Sequence, residues 1–171
     1  MSPPFFRLTR HLQLIFFAFG LAALAGCGFH LSGPRPLAFS TIHISASEYT
    51  SLGIALRRQV ALSGSTKVEK DASRAEAKLQ IIANDRSREI LSLTPAGTVR
   101  EYELTQTLRF RLIDHDGKEL IPPSAISARR ELTFSDELVL SKEQEEALLY
   151  DDMESDLVRQ IMRRLSSWQR P

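Results

Sequence analysis

The chain has 171 residues, 43% hydrophobic and 25% charged, with 22 Lys and Arg against 21 Asp and Glu and a single cysteine. That composition excludes a disordered or collagen-like chain, and one cysteine excludes an internal disulfide framework and a Cys-rich zinc cage. A net charge of +1 lacks the basic excess of a protein that neutralises phosphates along nucleic acid, so no nucleic-acid partner is expected.

The first element reads as an export signal. Arg7 and Arg10 form a positive n-region, and residues 12–24 are an uncharged run broken only by Gln13 and Gly20, the signature of a signal-peptide h-region. The run is shorter than the roughly 20 apolar residues a membrane-spanning helix needs. It ends in Leu24-Ala25-Gly26-Cys27, the pattern of a bacterial lipobox, which predicts cleavage between Gly26 and Cys27 and lipidation of the Cys27 thiol. A diacylglycerol thioether plus an N-acyl chain gives stable anchoring. Residue 28 is Gly and not Asp, which points to the outer membrane. No second hydrophobic run follows, so the lipid is the only anchor expected.

Cleavage leaves 145 residues (171 − 26) and, without Arg7 and Arg10, 20 basic residues (22 − 2) against 21 acidic. Such a chain suits one domain. The expected organisation is a signal peptide over 1–26, a lipidated tether rich in Gly and Pro over 27–36, and a single α+β domain over 37–171.

Within the domain, residues 39–44 are short and β-branched with Ile42 and Ile44 on one face, a strand that points His43 the other way. Over 49–62, Leu52, Ala55, Leu56 and Val60 recur at helical spacing, and Gly64 between Ser63 and Ser65 is a stop signal. An acidic-basic link without an apolar cluster follows. Residues 77–83 alternate Leu79 and Ile81 with Lys78 and Gln80, and the strand continues through Arg86 and Arg88 to Leu93. Thr94-Pro95-Ala96-Gly97 fits a type I turn. The clearest alternation comes next, with Tyr102, Leu104, Leu108, Phe110 and Leu112 on one face and Glu103, Thr105, Thr107, Arg109 and Arg111 on the other. Asp114-His115-Asp116-Gly117 supplies a second reversal.

Pro122-Pro123 cannot donate to a ladder, so the following strand is bulged, lies at an edge or starts near Ile126. Ile126, Ala128, Leu132 and Phe134 face its core side, with Arg130 as the exception. Ser141-Lys142-Glu143-Gln144 matches a capping box opening the last helix. Leu149, Met153, Leu157, Ile161, Leu165 and Trp168 form its apolar stripe. Seven acids in 143–156 and four Arg in 157–171 complement the helix dipole at its two ends. The expected fold is a two-layer α+β sandwich, a four-stranded mostly antiparallel sheet with both helices on one face, in the order β-α-β-β-β-α.

Catalytic constellations are almost absent, the remaining option being a carboxylate pair that folding assembles from distant residues. His30, His43 and His115 fall on the tether, a strand and a turn, with no HExxH motif; there is no GxSxG elbow and no phosphate loop. A calcium loop fails at 114–117, because only two acidic positions precede the Gly and the distal Glu is missing. Asp114 and Asp116 lie close together, and turn chemistry accounts for both. No catalytic residue, metal or cofactor is expected beyond the lipid on Cys27.

The stretch Cys27-Gly28-Phe29-His30-Leu31, a lipidation cysteine followed by Gly-aromatic-His-Leu, resembles the mature start of the LPS-assembly lipoprotein family LptE, also called RlpB. The resemblance continues in Gly97-x-x-x-Glu101-Tyr102, a strand ending at Phe134, and a Lys142-containing start of a long amphipathic helix. It implies a non-enzymatic partner of the outer-membrane β-barrel LptD. The lipoprotein would plug the polar lumen, help the barrel assemble, bind LPS and assist its insertion into the outer leaflet. Lys142 matches a basic position that the family carries at the start of the last helix. A basic residue found in some members before the third strand is Pro95 here, and Arg100, five residues on, is the substitute. Ser32 stands where many members have Arg. For Arg86, Arg88, Arg109, Arg111, Arg129 and Arg130, cross-strand pairing with Glu is the structural expectation. The competing reading is a free-standing outer-membrane lipoprotein that binds or cleaves an envelope polymer, which calls for a cleft with convergent titratable groups.

Overall fold

The computed structural model describes residues 36–135 and 138–169. The signal segment, Cys27 and the tether up to residue 35 therefore lie outside the described residues. Strand β1 spans Thr41–Ile44, helix α1 Ser51–Leu62, β2 Lys67–Val68, β3 Ala77–Leu93, β4 Val99–Asp114, β5 Glu119–Thr133 and helix α2 Val139–Ser167. The sheet runs β2-β1-β3-β4-β5. β1 is parallel to both neighbours, whereas β3, β4 and β5 form a long antiparallel meander. The sheet thus has five strands where the sequence suggests four. β2 escapes sequence patterning because it is two residues long and held by backbone bonds, Lys67 N to Ser40 O at 2.9 Å and Glu69 N to Ile42 O at 2.8 Å.

One apolar layer joins the elements. Ile42 and Ile44 of β1, Leu79 of β3, Leu104, Leu108, Phe110 and Leu112 of β4, and Leu132 of β5 are essentially inaccessible to solvent. So are Leu56 and Val60 of α1 and Met153, Leu157, Ile161 and Leu165 of α2. All belong to one cluster, so both helices cover the same face. Burial on this scale is the main stabilising contribution to the fold. Among the described residues no helix is long and apolar enough to cross a membrane.

Both turns close as their residue types dictate. Gly97 N bonds Thr94 O at 2.9 Å with φ +84°, and Gly117 N bonds Asp114 O at 3.3 Å with φ +87°, a conformation that glycine adopts without steric cost. The prolines Pro122 and Pro123 sit on β5, an edge strand, beside a register shift between Phe110 and Leu112. Two of the three placements open to them therefore coincide. The capping box at Ser141 does not form. α2 starts earlier, its N-cap is Leu138 without a side-chain cap, and Ser141 Oγ donates to Leu138 O at 2.9 Å.

Candidate functional site

A β-bulge decides how the charged half of the sheet is used. The register shifts between Ile81 and Ala83, so the face that carries Leu79 and Ile81 continues as Asn84, Arg86, Arg88 and Ile90. Arg86 and Arg88 thereby turn toward the acidic half of α2. Arg88 Nη1 lies 2.9 Å from Glu146 Oε2, and Arg86 Nη2 lies 3.6 Å from the buried carboxylate of Glu154. On the other flank, Arg130 Nη2 meets Asp152 at 2.6 Å and Asp156 at 2.5 Å, and Arg159 also pairs with Asp156. Arg88 and Arg130 both align with Leu104, so they hold the helix from both sides.

These pairs correct the expectation of cross-strand partners for three of the six arginines. Among the described residues only Arg111 has one, Glu119 at 3.8 Å, while it also donates to Gln80 Oε1 at 2.7 Å. They also give the acidic run of 143–156 a specific use beyond the helix dipole. The hydrogen bond from Arg130, followed by that from Arg159, holds the Asp156 carboxyl below its usual value. Bonding to Asp152 and Asp156 raises Arg130, and bonding to Glu146 raises Arg88.

Aromatic residues extend this layer. Arg86 stacks over the Tyr150 ring at 4.7 Å, Arg88 over Tyr102 at 4.7 Å, and Tyr102 meets Phe134 edge-on at 5.4 Å. Tyr150 donates to Ser87 O at 3.0 Å, and burial raises its phenol. Gln106 is fully buried in the same layer, its Nε2 on Asn84 Oδ1 at 2.8 Å and its Oε1 without a partner. Sequence reasoning missed Gln106 and Glu154. The available signal was a polar residue at apolar parity, Gln106 between Leu104 and Leu108.

The topology brings Arg100 and Lys142 to one end of the molecule, where β3 turns into β4 and β5 passes into α2. Arg100 is exposed, and its backbone oxygen receives Phe134 N at 2.8 Å. The Lys142 side chain is only 17% exposed and donates to Glu145 at 2.7 Å. On the same elements, Leu138 at the N-cap of α2, Leu140 and Leu148 within it, and Leu91 and Leu93 of β3 are about half or more exposed. Cations set among exposed apolar side chains suit an amphiphilic anion.

The opposite end holds an open cavity of about 420 Å³ between Phe39, Ala77, Leu120 and Trp168, with Asp114, His115 and Lys118 at its margin. It is where a catalytic reading would look. Asp114, however, serves the turn, its Oδ1 accepting Lys118 N at 2.8 Å, and His115 lies 3.1 Å from the exposed Asp116. His43 is remote on β1, its Nδ1 3.1 Å from Glu69 O.

The family model described as LptE, lipopolysaccharide-assembly, matches residues 39–165, nearly all of the described domain. The chain belongs to this family. It is 33% identical to the LPS-assembly lipoprotein LptE of Pectobacterium atrosepticum, over 94% of this chain and 83% of that protein. It is 29% identical to the lipoprotein of the same name in Photorhabdus laumondii, over 91% and 86% of the two chains. Among solved structures it resembles uncharacterized lipoprotein B of Nitrosomonas europaea, at 37% identity and TM-score 0.70 over 82% of this chain and 91% of that one. Rare lipoprotein B of Shewanella oneidensis gives 26% identity and TM-score 0.66 over 75% and 95%. The five-stranded α+β fold is therefore an LptE-family fold.

Proposed function

We propose that the chain is an outer-membrane lipoprotein, cleaved before Cys27 and anchored by lipid on that thiol. It acts in LPS assembly as a non-enzymatic plug of the LptD barrel and binds LPS at the end that carries Arg100 and Lys142. The family match across 39–165 carries this reading, and the relatives named LPS-assembly lipoprotein support it over most of the chain. The geometry agrees chemically. A barrel lumen is polar, and the sheet face away from the helices carries Lys78, Gln80, Arg109, Arg111, Glu103 and Glu131. Phosphates on lipid A would meet the two cations while acyl chains meet the exposed leucines beside them.

The test is affinity purification of the tagged, lipidated chain from solubilised outer membranes, with protein identified by mass spectrometry and LPS by immunoblot. Near-equal recovery of a large β-barrel is expected, and conversion of Cys27 to Ala should leave an unprocessed precursor that does not reach it. Recovery of the chain alone, in detergents that preserve barrel complexes, would overturn the plug reading in favour of a free-standing envelope-binding lipoprotein.

A further inference from the structure

Strand β3 is 17 residues long, but β1 pairs only with Ala77, Lys78 and Leu79. The cover ends at Ser45, whose N bonds Leu79 O at 3.0 Å and whose Oγ receives Ile81 N at 2.9 Å. Beyond it, no strand among the described residues lies beside β3 on the side away from β4. Register shifts bracket the stretch 83–90, which pairs regularly with β4 for eight residues, roughly 26 Å of open edge. The far edge of the sheet is interrupted by Pro122 and Pro123, the usual defence against strand addition. Residues 82–93 of β3 contain no proline, and Ile82, Ile90, Leu91 and Leu93 along them are about half exposed.

The charges beside this edge ask for a particular neighbour. On the sheet face away from the helices, Glu89, Glu103 and Glu131 stand directly opposite one another across three strands, with Asp85 four residues before Glu89. Among the described residues none of the four has a basic partner. Like charges in one cross-strand row repel, and a cation added at the end of the row relieves them. A second copy cannot supply it. Two edges related by a two-fold axis keep the same faces, and in the two symmetric registers that pair this stretch Arg86 meets Arg86, or Asp85 meets Glu89 and Arg86 meets Arg88.

We propose that the β3 edge over 83–90 receives an extended, basic segment of the barrel partner as a sixth strand, its cations completing the Glu89-Glu103-Glu131 row. Main-chain bonds give such an addition its affinity and side-chain pairing gives its register. The proposal rests on the plug reading and specifies which edge meets the barrel.

The test is residue-resolved hydrogen exchange of the full lipidated chain, alone and in its co-purified barrel complex. Strand addition should slow alternate amides of 83–90 at least about tenfold, because the others are already bonded to β4, and should leave the β5 edge unchanged. A second measurement uses Asp85→Lys with Glu89→Lys. Relief of the row should raise the melting temperature of the isolated chain while barrel recovery falls about tenfold, a split that misfolding cannot produce. A complex that forms with unaltered exchange at 83–90, or with uniform protection of both edges, overturns strand addition and leaves the plug reading standing. Recovery without any barrel overturns both.

Discussion

A methyl group on Gly53 would lie 1.9 Å from Ser47 O and 2.9 Å from its carbonyl carbon. Those atoms cannot retreat, because Ser47 O accepts Thr50 Oγ1 at 2.9 Å and Thr50 Oγ1 in turn caps α1 through Gly53 N at 3.2 Å. Gly53 is thus the position where the loop folds back on the helix. Sequence alone gives the opposite sign, since an interior helical glycine normally costs stability against alanine. The structure predicts that Gly53→Ala lowers stability by about 3 kcal/mol, seen as an earlier urea midpoint at unchanged slope. An unchanged or later midpoint would show that the 46–50 loop yields. Gln106 illustrates the same limit of patterning. Its parity was legible, but its bond to an exposed Asn84, with one oxygen unsatisfied, follows from the bulge after Ile81 on the adjacent strand, which turns Asn84 to the helix side.

At the scale of elements, alternation and helical spacing located β1, β3, β4, β5 and both helices, because those segments bury one apolar face each. The α2 stripe from Leu149 to Trp168 packs as its spacing requires, with Met153, Leu157, Ile161 and Leu165 fully buried. What patterning could not locate was the partner of each arginine, since the bulge after Ile81 changes which parity faces the helix. The consequence is a helix packed in two ways, by hydrocarbon over its second half and by ion pairs over its first. Arg130→Ala tests the second mode. Asp156 is held below its unfolded value by Arg130, so the pair contributes fully above the ordinary carboxylate range and is lost as pH falls through the lowered folded value. With both side chains about one-third exposed, solvent screening keeps the expected loss at pH 7 near about 1 kcal/mol. The difference between the parent chain and Arg130→Ala should close as the pH drops below about 4, and shrink in 1 M NaCl. A pH-independent difference would assign the contribution of Arg130 to packing of its alkyl stem.

At the scale of the molecule, the two ends of the meander carry different chemistry. The described chain enters beside Ser65 and the start of β3, where Leu37 N bonds Ser65 Oγ at 3.2 Å and β1 aligns with Ala77. The other end lies a full β3 away, roughly 50 Å for 17 residues, which exceeds the hydrocarbon thickness of about 30 Å. Under the proposed plug reading, Arg100 and Lys142 would therefore lie farther from the cavity end of the domain than the hydrocarbon layer is thick. Lys142 shares its charge with Glu145, whereas Arg100 is exposed, so under the proposed LPS reading Arg100 would be the readier contact and Lys142 would exchange a carboxylate for a phosphate. Charge reversal at both positions, Arg100→Glu with Lys142→Glu, should weaken binding of purified LPS at least about tenfold with an unchanged far-UV circular dichroism spectrum. Lys142→Gln alone should weaken it less, because Arg100 keeps its positive charge and no carboxylate is added. Lys118→Glu, at the cavity of the opposite end, should leave binding unchanged. If Lys118→Glu instead abolishes binding while the double variant does not, the anionic headgroup docks at the cavity between Phe39 and Trp168. In that case Lys142 serves the fold of α2 through Glu145 and not the ligand.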